Sequence, residues 1–331
     1  MKIPFLPALT LVVGAFLSGG LLAAPVHNDV RIATPWPAQN TIITMLGYGD
    51  SLVGTSIVAK QIPLLRQSLP HIKDVPVISM NSGNELSPEQ IISLGTELLF
   101  VSQGMKIAQP ELLEQAGVKV LAFKANAMAA LRDRVLKTGA ALGPDAQQKA
   151  LLFEQYFAHN VERVASRLQD LPAAQRVRVY HSMGNPLTTT GRPSLNQDWM
   201  DLGGASNVAA DWFGPKKSSA GEVALEQVVS ANPQVIVAMN KRDADEISAS
   251  PQWAGIDAVI HHRVIVNPKG MFWWCRETSE EALQFLWLAK TLYPERFADI
   301  DMVKETRDFY QRFFGLTLSD AQINEILIPS R

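Results

Sequence analysis

Residues Pro88 to Gly104 read PEQIISLGTELLFVSQG, and Leu225 to Lys241 read LEQVVSANPQVIVAMNK. Glu-Gln, two β-branched aliphatics, a serine, four residues of turn chemistry and an apolar run recur in step, from Glu89 to Phe100 and from Glu226 to Val237. In the first copy Ser87 is a capping residue, Pro88 suits the first helical position, and Gln90 stands where a capping box would close. The apolar runs show no in–out alternation, which is the pattern of strands covered on both faces in a parallel sheet. A short helix, a turn and a buried strand, written twice, predict two α/β units.

Outward from these copies the same alternation continues. Val30 to Thr34 is a β-rich run, Gln39 to Leu46 is helical in pattern, and Ser51 to Val58 returns to strand chemistry. Pro110 to Ala116 reads as a helix ended by Gly117, and Val118 to Phe123 as a strand. After Pro172 the order restarts: a strand over Val177 to His181, a helix from Leu195 capped by Ser194, strands at Val235 to Met239 and Val264 to Asn267, a short helix near Trp253, and a helix over Ser279 to Leu292. Strands alternating with helices at this spacing give parallel sheets with covering helices.

Between the two series lies DAQQKALLFEQYFAHNVERVASRLQDL, Asp145 to Leu171, without Gly or Pro. Leu151, Leu152, Tyr156, Val161, Val164 and Leu168 are expected near one face. A helix of that length spans about 40 Å, too long for one small sheet, and reads as a strut between lobes. The expected layout is residues 24–144 as one α/β lobe, 145–171 as the inter-lobe helix and 172–331 as a second α/β lobe, with a ligand cleft between them.

Composition agrees with a folded two-lobed chain: 331 residues, 47% apolar, 19% charged and a formal net charge of −2, which gives no nucleic-acid footprint. Lys2 and the apolar stretch from Phe5 to Leu22, closing on Ala23-Ala24, read as a cleavable export signal over residues 1–23. A retained anchor is the alternative; Pro7, Gly14, Gly19 and Gly20 argue against a stable spanning helix. No cysteine follows the apolar run for lipid attachment, and Cys275, alone in the chain, permits no internal disulfide. The expectation is an exported, periplasmic monomer.

With SPEQIISLGTELLFV, ALEQVVSANPQVIV, SPQWAGIDAVIHHRVIV and WWCRETSEEALQFLWLAKTLYPERF, the chain resembles the substrate-binding proteins of ABC importers for iron-siderophores, haem and cobalamin. The resemblance implies two α/β lobes linked by one long helix, no resident cofactor, and an ABC permease with its ATPase as partner. It also implies that Glu89 and Glu226, one per lobe, project from the outer surface to pair with permease arginines. The alternative for each is a helix-start acid stabilised by the macrodipole.

In open parallel sheets ligands bind beyond the carboxyl ends of the strands. The segments that follow the strands offer Trp36, His181, Lys241 and Arg242, with Arg192 in the TTTGRPSLN loop. Lys216, Lys217, Ser218 and Ser219 suit an anion, the lysines by charge and the serines by accessible donors. Phe272, Trp273 and Trp274 form an aromatic run suited to a large flat chelate, followed by the cation Arg276. An extended backbone points Trp273 and Trp274 in opposite directions, so at least one is expected in the core. His181 reads either as a metal ligand or as a satisfied rim residue. The histidines are too few and too scattered for a bare-metal site. A hydrolase reading rests on Ser182 in YHSMG, which is not a nucleophile elbow, and no nucleotide motif occurs, so no enzyme activity is expected. The expected cargo is an iron-siderophore-type chelate, with haem, cobalamin or an oxyanion such as molybdate as alternatives.

Overall fold

The computed structural model describes residues 30–80, 85–214 and 219–330. The expected signal segment 1–23 and the residues Lys216, Lys217 and Ser218 lie outside the described residues. The first lobe holds β1 (Ile32–Ala33), β2 (Leu52–Ser56), β3 (Val77–Ser79), β4 (Leu98–Ser102) and β5 (Lys119–Phe123), in the order β3-β2-β1-β4-β5 with every pair parallel. The second holds β6 (Arg178–Ser182), β7 (Thr188–Thr190), β8 (Ser206–Asn207), β9 (Ala220–Glu222), β10 (Val235–Ala238) and β11 (Val264–Val266). Its main sheet runs β11-β10-β6-β8, again parallel, while β7 and β9 form a small antiparallel ribbon.

The sequence repeat is a structural repeat in detail. Helices Pro88–Ser93 and Leu225–Ala231 lead into β4 and β10, each paired to the first strand of its sheet. Each bears a buried aliphatic against its sheet, Ile91 and Val228. Both turns pass through the left-handed region at equivalent positions, Gly95 (φ 62) and Asn232 (φ 43), residue types that tolerate it. Arg31 donates to the Leu94 and Gly95 carbonyls, and Arg178 to the Asn232 carbonyl, so each helix end is closed by an arginine beside or within the neighbouring strand. Ser87 Oγ accepts from the Gln90 N–H at 3.2 Å, as expected of a cap. The capping box does not form: Gln90 Nε2 reaches across to the Val77 carbonyl at 2.9 Å.

The joint differs from a lone rod. The long helix is Pro144–Leu168, and Gly143 (φ 120) connects it to a helix at Met128–Leu142 that the sequence reading did not resolve. The two form an antiparallel hairpin. Gly139 sits so close to the partner that an added Cβ would lie 2.7 Å from the Ala150 Cβ, and Arg132 pairs with Glu154 further along. The buried face is Ala146, Ala150, Phe153, Phe157, Asn160, Val164 and Leu168, while Leu151 and Leu152 are exposed. The expected apolar face was therefore rotated, because the close approach of the second helix selects the small residues Ala146 and Ala150. Phe157 meets Phe285 of helix Glu281–Leu292 at 5.3 Å, and Phe153 meets Phe313 of helix Met302–Phe314 at 5.7 Å. One apolar cluster thus runs from Ile32 in the first lobe through the strut to Phe285 in the second. No helix among the described residues is long and apolar enough to cross a membrane.

Candidate functional site

A cleft of about 480 Å³ opens where residues at the carboxyl ends of β1, β2 and β6 come together: Trp36 follows β1, Ser56 ends β2 and Met183 follows β6. The Trp36 carbonyl accepts from Gln39 N, Asn40 N and Asn40 Nδ2, which fixes the backbone entering helix Pro37–Met45. Ser56 Oγ accepts from Ala59 N at 3.1 Å and caps the next helix. The opposing wall is the segment Phe272 to Arg276, with Phe272 and Trp273 edge to face at 5.0 Å. Lys269 Nζ lies 4.7 Å from the Trp273 ring centre. On the second-lobe side, Asn196 donates to Met183 Sδ at 3.1 Å and accepts from Trp199 Nε1 at 2.9 Å, which settles which end of its amide carries the oxygen.

Beneath the cleft the lobes meet through polar groups. Arg134, 1% exposed, stacks on Trp36 with its guanidinium carbon 3.8 Å from the ring centre and donates to the Glu277 carbonyl. The Glu277 carboxylate accepts from Asn126 N, and Asn126 Oδ1 accepts from Leu195 N at 3.2 Å. Asn126 and Glu277 both adopt φ 60, a cost tolerated where a contact fixes the backbone. Burial pulls the Arg134 pKa down to about 10, against the attraction of Glu277 and Glu281, so the side chain stays charged. Burial pushes the Glu281 carboxyl well above the usual carboxylate range. Glu277 is matched by Arg134, 4.0 Å away, whereas the exposed Arg276 has no side-chain partner among the described residues. Arg276 and Glu277 both line the cleft, and of the two Arg276 is the one without a side-chain partner among the described residues.

The structure brings four expected residues to this cleft: Trp36, Phe272, Trp273 and Arg276. Others lie elsewhere. Trp274 is fully buried, the outcome that alternation in an extended segment allows for one of the pair. His181 is also fully buried, edge-on to Trp199 at 5.2 Å, with no partner for either ring nitrogen among the described residues. Burial, reinforced by Arg276, pulls its pKa down to about 3, so it is neutral and does not reach the cleft surface. Arg192 pairs with Asp211 at 3.3 Å in solvent. The Ser219 carbonyl accepts from Gly191 N, and its side chain does not line the cleft. Asn240 caps helix Lys241–Ala249, which makes Lys241 and Arg242 first-turn residues; they pair with Asp245 and Asp243, and Arg242 also donates to the Gly184 carbonyl. Among the described residues no group of three or more His, Cys, Asp or Glu side chains is placed to hold a metal ion.

Sequence reasoning missed Arg134, Asn126, Asn196 and Glu277. Arg134 lies in a charged helical stretch that resembles a solvated surface, and its one sequence signal is its place between the buried Leu131 and Thr138. Glu89 and Glu226 are both exposed, each in the first turn of its repeat helix. The Ser87 hydroxyl donates to Glu89 at 2.7 Å and holds that carboxyl below its ordinary value.

The chain matches the family described as periplasmic binding protein over residues 32–270. The molybdate-binding protein MolA of Haemophilus influenzae is 28% identical over 311 residues, covering 87% of this chain and 84% of its own. The vitamin B12-binding protein of Salmonella typhimurium is 30% identical over 191 residues, 56% of this chain and 66% of its own. A periplasmic solute binding protein from Veillonella parvula superposes with a TM-score of 0.76 at 23% identity, over 90% of this chain and 91% of that one. Two parallel-sheet lobes, a long joining helix, a cleft at the strand ends and a match across most of both lobes lead to one conclusion: the chain belongs to the periplasmic binding proteins of ABC importers.

Proposed function

We propose that this chain captures an anionic, metal-containing solute in the periplasm and presents it to an ABC permease and its ATPase. The carrying observation is Arg276, a cation without a side-chain partner among the described residues, set on an aromatic wall opposite Trp36 in a cleft of about 480 Å³. That volume lies in the range of small-molecule sites, and aromatic side chains beside one guanidinium suit a chelate of the iron-siderophore type. A second reading, an oxyanion, is favoured by the 28% identity to a molybdate-binding protein across most of the chain. Native mass spectrometry of the protein from its own periplasm weighs the cargo directly. Calorimetry with sodium molybdate and with a ferric tris-catecholate then separates the readings. Arg276→Ala is expected to weaken the cargo that binds by about tenfold or more, since a charge-assisted contact is lost. An unchanged affinity refutes the assigned role.

Glu89 and Glu226 are the proposed docking groups. A helix that turns directly into a parallel strand runs antiparallel to it, so both carboxylates lie toward the strand ends that border the cleft. Paired charges of this kind contribute register and on-rate. Glu89→Ala with Glu226→Ala is expected to retain solute binding and abolish uptake; normal uptake by the double variant sinks the assignment. The named relatives are binding proteins, and a non-enzymatic, monomeric, exported receptor with a cleaved leader is the reading we adopt.

A further inference from the structure

The repeat helices carry a second duplicated feature. Ile92 and Val229 occupy equivalent positions and are 36% and 43% exposed, although the residues just before them, Ile91 and Val228, are fully buried. Each exposed aliphatic stands three residues after its glutamate, and side chains at that spacing share one face of a helix. Each lobe therefore presents a carboxylate and a β-branched apolar group side by side. A single exposed aliphatic is ordinary surface. Two at matched positions, each beside a matched carboxylate, call for a common cause.

Folding supplies one only in part. Ile91 and Val228 already anchor the helices, and more than a third of each following aliphatic is left to solvent. That remaining apolar surface is of use only when a second surface covers it. Burial of an apolar group beside an ion pair also removes water from that pair, the arrangement in which interface charges gain most.

Resting on the docking reading above, we infer that each lobe engages the permease through a two-part patch, Glu89 with Ile92 and Glu226 with Val229. The matching surface is an apolar seat beside a cation, present once on each half of the permease. The patch has a polar and an apolar component, and salt separates them. The charge contribution weakens as ionic strength rises, while the aliphatic contribution does not.

The test is binding of the protein, as purified from its periplasm, to its permease–ATPase complex in nanodiscs, over a salt series. Ile92→Ser with Val229→Ser is expected to bind about tenfold more weakly at every salt concentration, with the wild-type salt slope and solute affinity kept and the protein still folded at the assay temperature. Glu89→Gln with Glu226→Gln is expected to bind more weakly and to flatten that slope. If the serine variant binds within about twofold of wild type while the glutamine variant fails, the aliphatic half of the patch is overturned and the carboxylate docking stands. If both variants bind as wild type, both assignments fall.

Discussion

Glu280→Gln probes how the aromatic wall of the cleft is held. Glu280 is fully buried; its Oε1 accepts from Met271 N at 2.6 Å and from the Tyr310 hydroxyl, and its Oε2 from Phe272 N at 3.1 Å and Thr278 Oγ1 at 2.8 Å. Thr278 Oγ1 lies 3.3 Å from the Thr41 hydroxyl on helix Pro37–Met45, so the same carboxyl ties the wall to the first lobe. A Cβ at Gly270 would overlap both the Tyr310 hydroxyl and Glu280 Oε1, so only glycine fits against this pair. The titratable group facing it is Tyr310, which burial holds protonated. Burial pushes Glu280 up from 4.5 to about 7 despite its four donors. Because the folded value is raised, the native state binds this proton more tightly than the unfolded chain. The associated stability is fully present below 4.5 and is lost as pH rises to about 7. Between pH 5 and pH 8 the loss is on the order of a few kcal/mol. Glutamine keeps the volume but cannot titrate, and its amide nitrogen cannot accept from two of the donors, so the variant is less stable at pH 5 by about 1–3 kcal/mol. Urea denaturation of both proteins at the two pH values measures the difference. The gap should narrow at pH 8, by on the order of a few kcal/mol. A gap of the same size at both pH values refutes the reasoning.

Gly139→Val places a branched side chain where an added Cβ alone would lie 2.7 Å from the Ala150 Cβ and 2.9 Å from the Ala146 carbonyl oxygen, so it should cost about 2 kcal/mol or more in thermal melts. A neutral result means the hairpin is not close-packed there. Cys275 is buried and its thiol is pushed up to about 12, chiefly by burial, so iodoacetamide at pH 8 should modify it only after unfolding; rapid labelling of the folded protein contradicts this. The strut and both lobes share one apolar cluster, so small-angle scattering should show little compaction on loading, and a marked fall in radius argues for a wide hinge.

The parts of the fold legible in the sequence are those whose local chemistry decides them. β4 and β10 are apolar on both faces because helices cover both, and that pattern is visible without a partner. Gly95 and Asn232 mark the same turn because few residues tolerate its backbone. Strand β1 was legible as a short β-rich run although only Ile32 and Ala33 pair in it. The hairpin at Gly143 was not legible. Helix Met128–Leu142 carries charged residues through its middle, and its packing depends on glycine against alanine, a contact that has no amphipathic signature.

At the cleft the division follows side-chain reach. Trp36, Phe272, Trp273 and Arg276 were expected because each follows a strand or stands in an aromatic segment that local composition exposes, and all four line the cleft. His181, at the penultimate residue of β6, satisfies the same rule and yet lies in the core against Trp199, because it is still inside the paired strand, whereas Met183 stands beyond the strand's end at the rim. The other expected cations lie outside this cleft for a different reason. Lys241, Arg242 and Arg192 each have an acid at close range, Asp245, Asp243 and Asp211, and a paired surface charge offers little to a solute. Arg276 differs from them in its surroundings. Its neighbour Glu277, which also lines the cleft, is engaged by Arg134 and the Asn126 amide, so the acid that adjoins it in sequence already has partners. A buried arginine that no motif announces thus leaves an exposed one without a side-chain partner among the described residues.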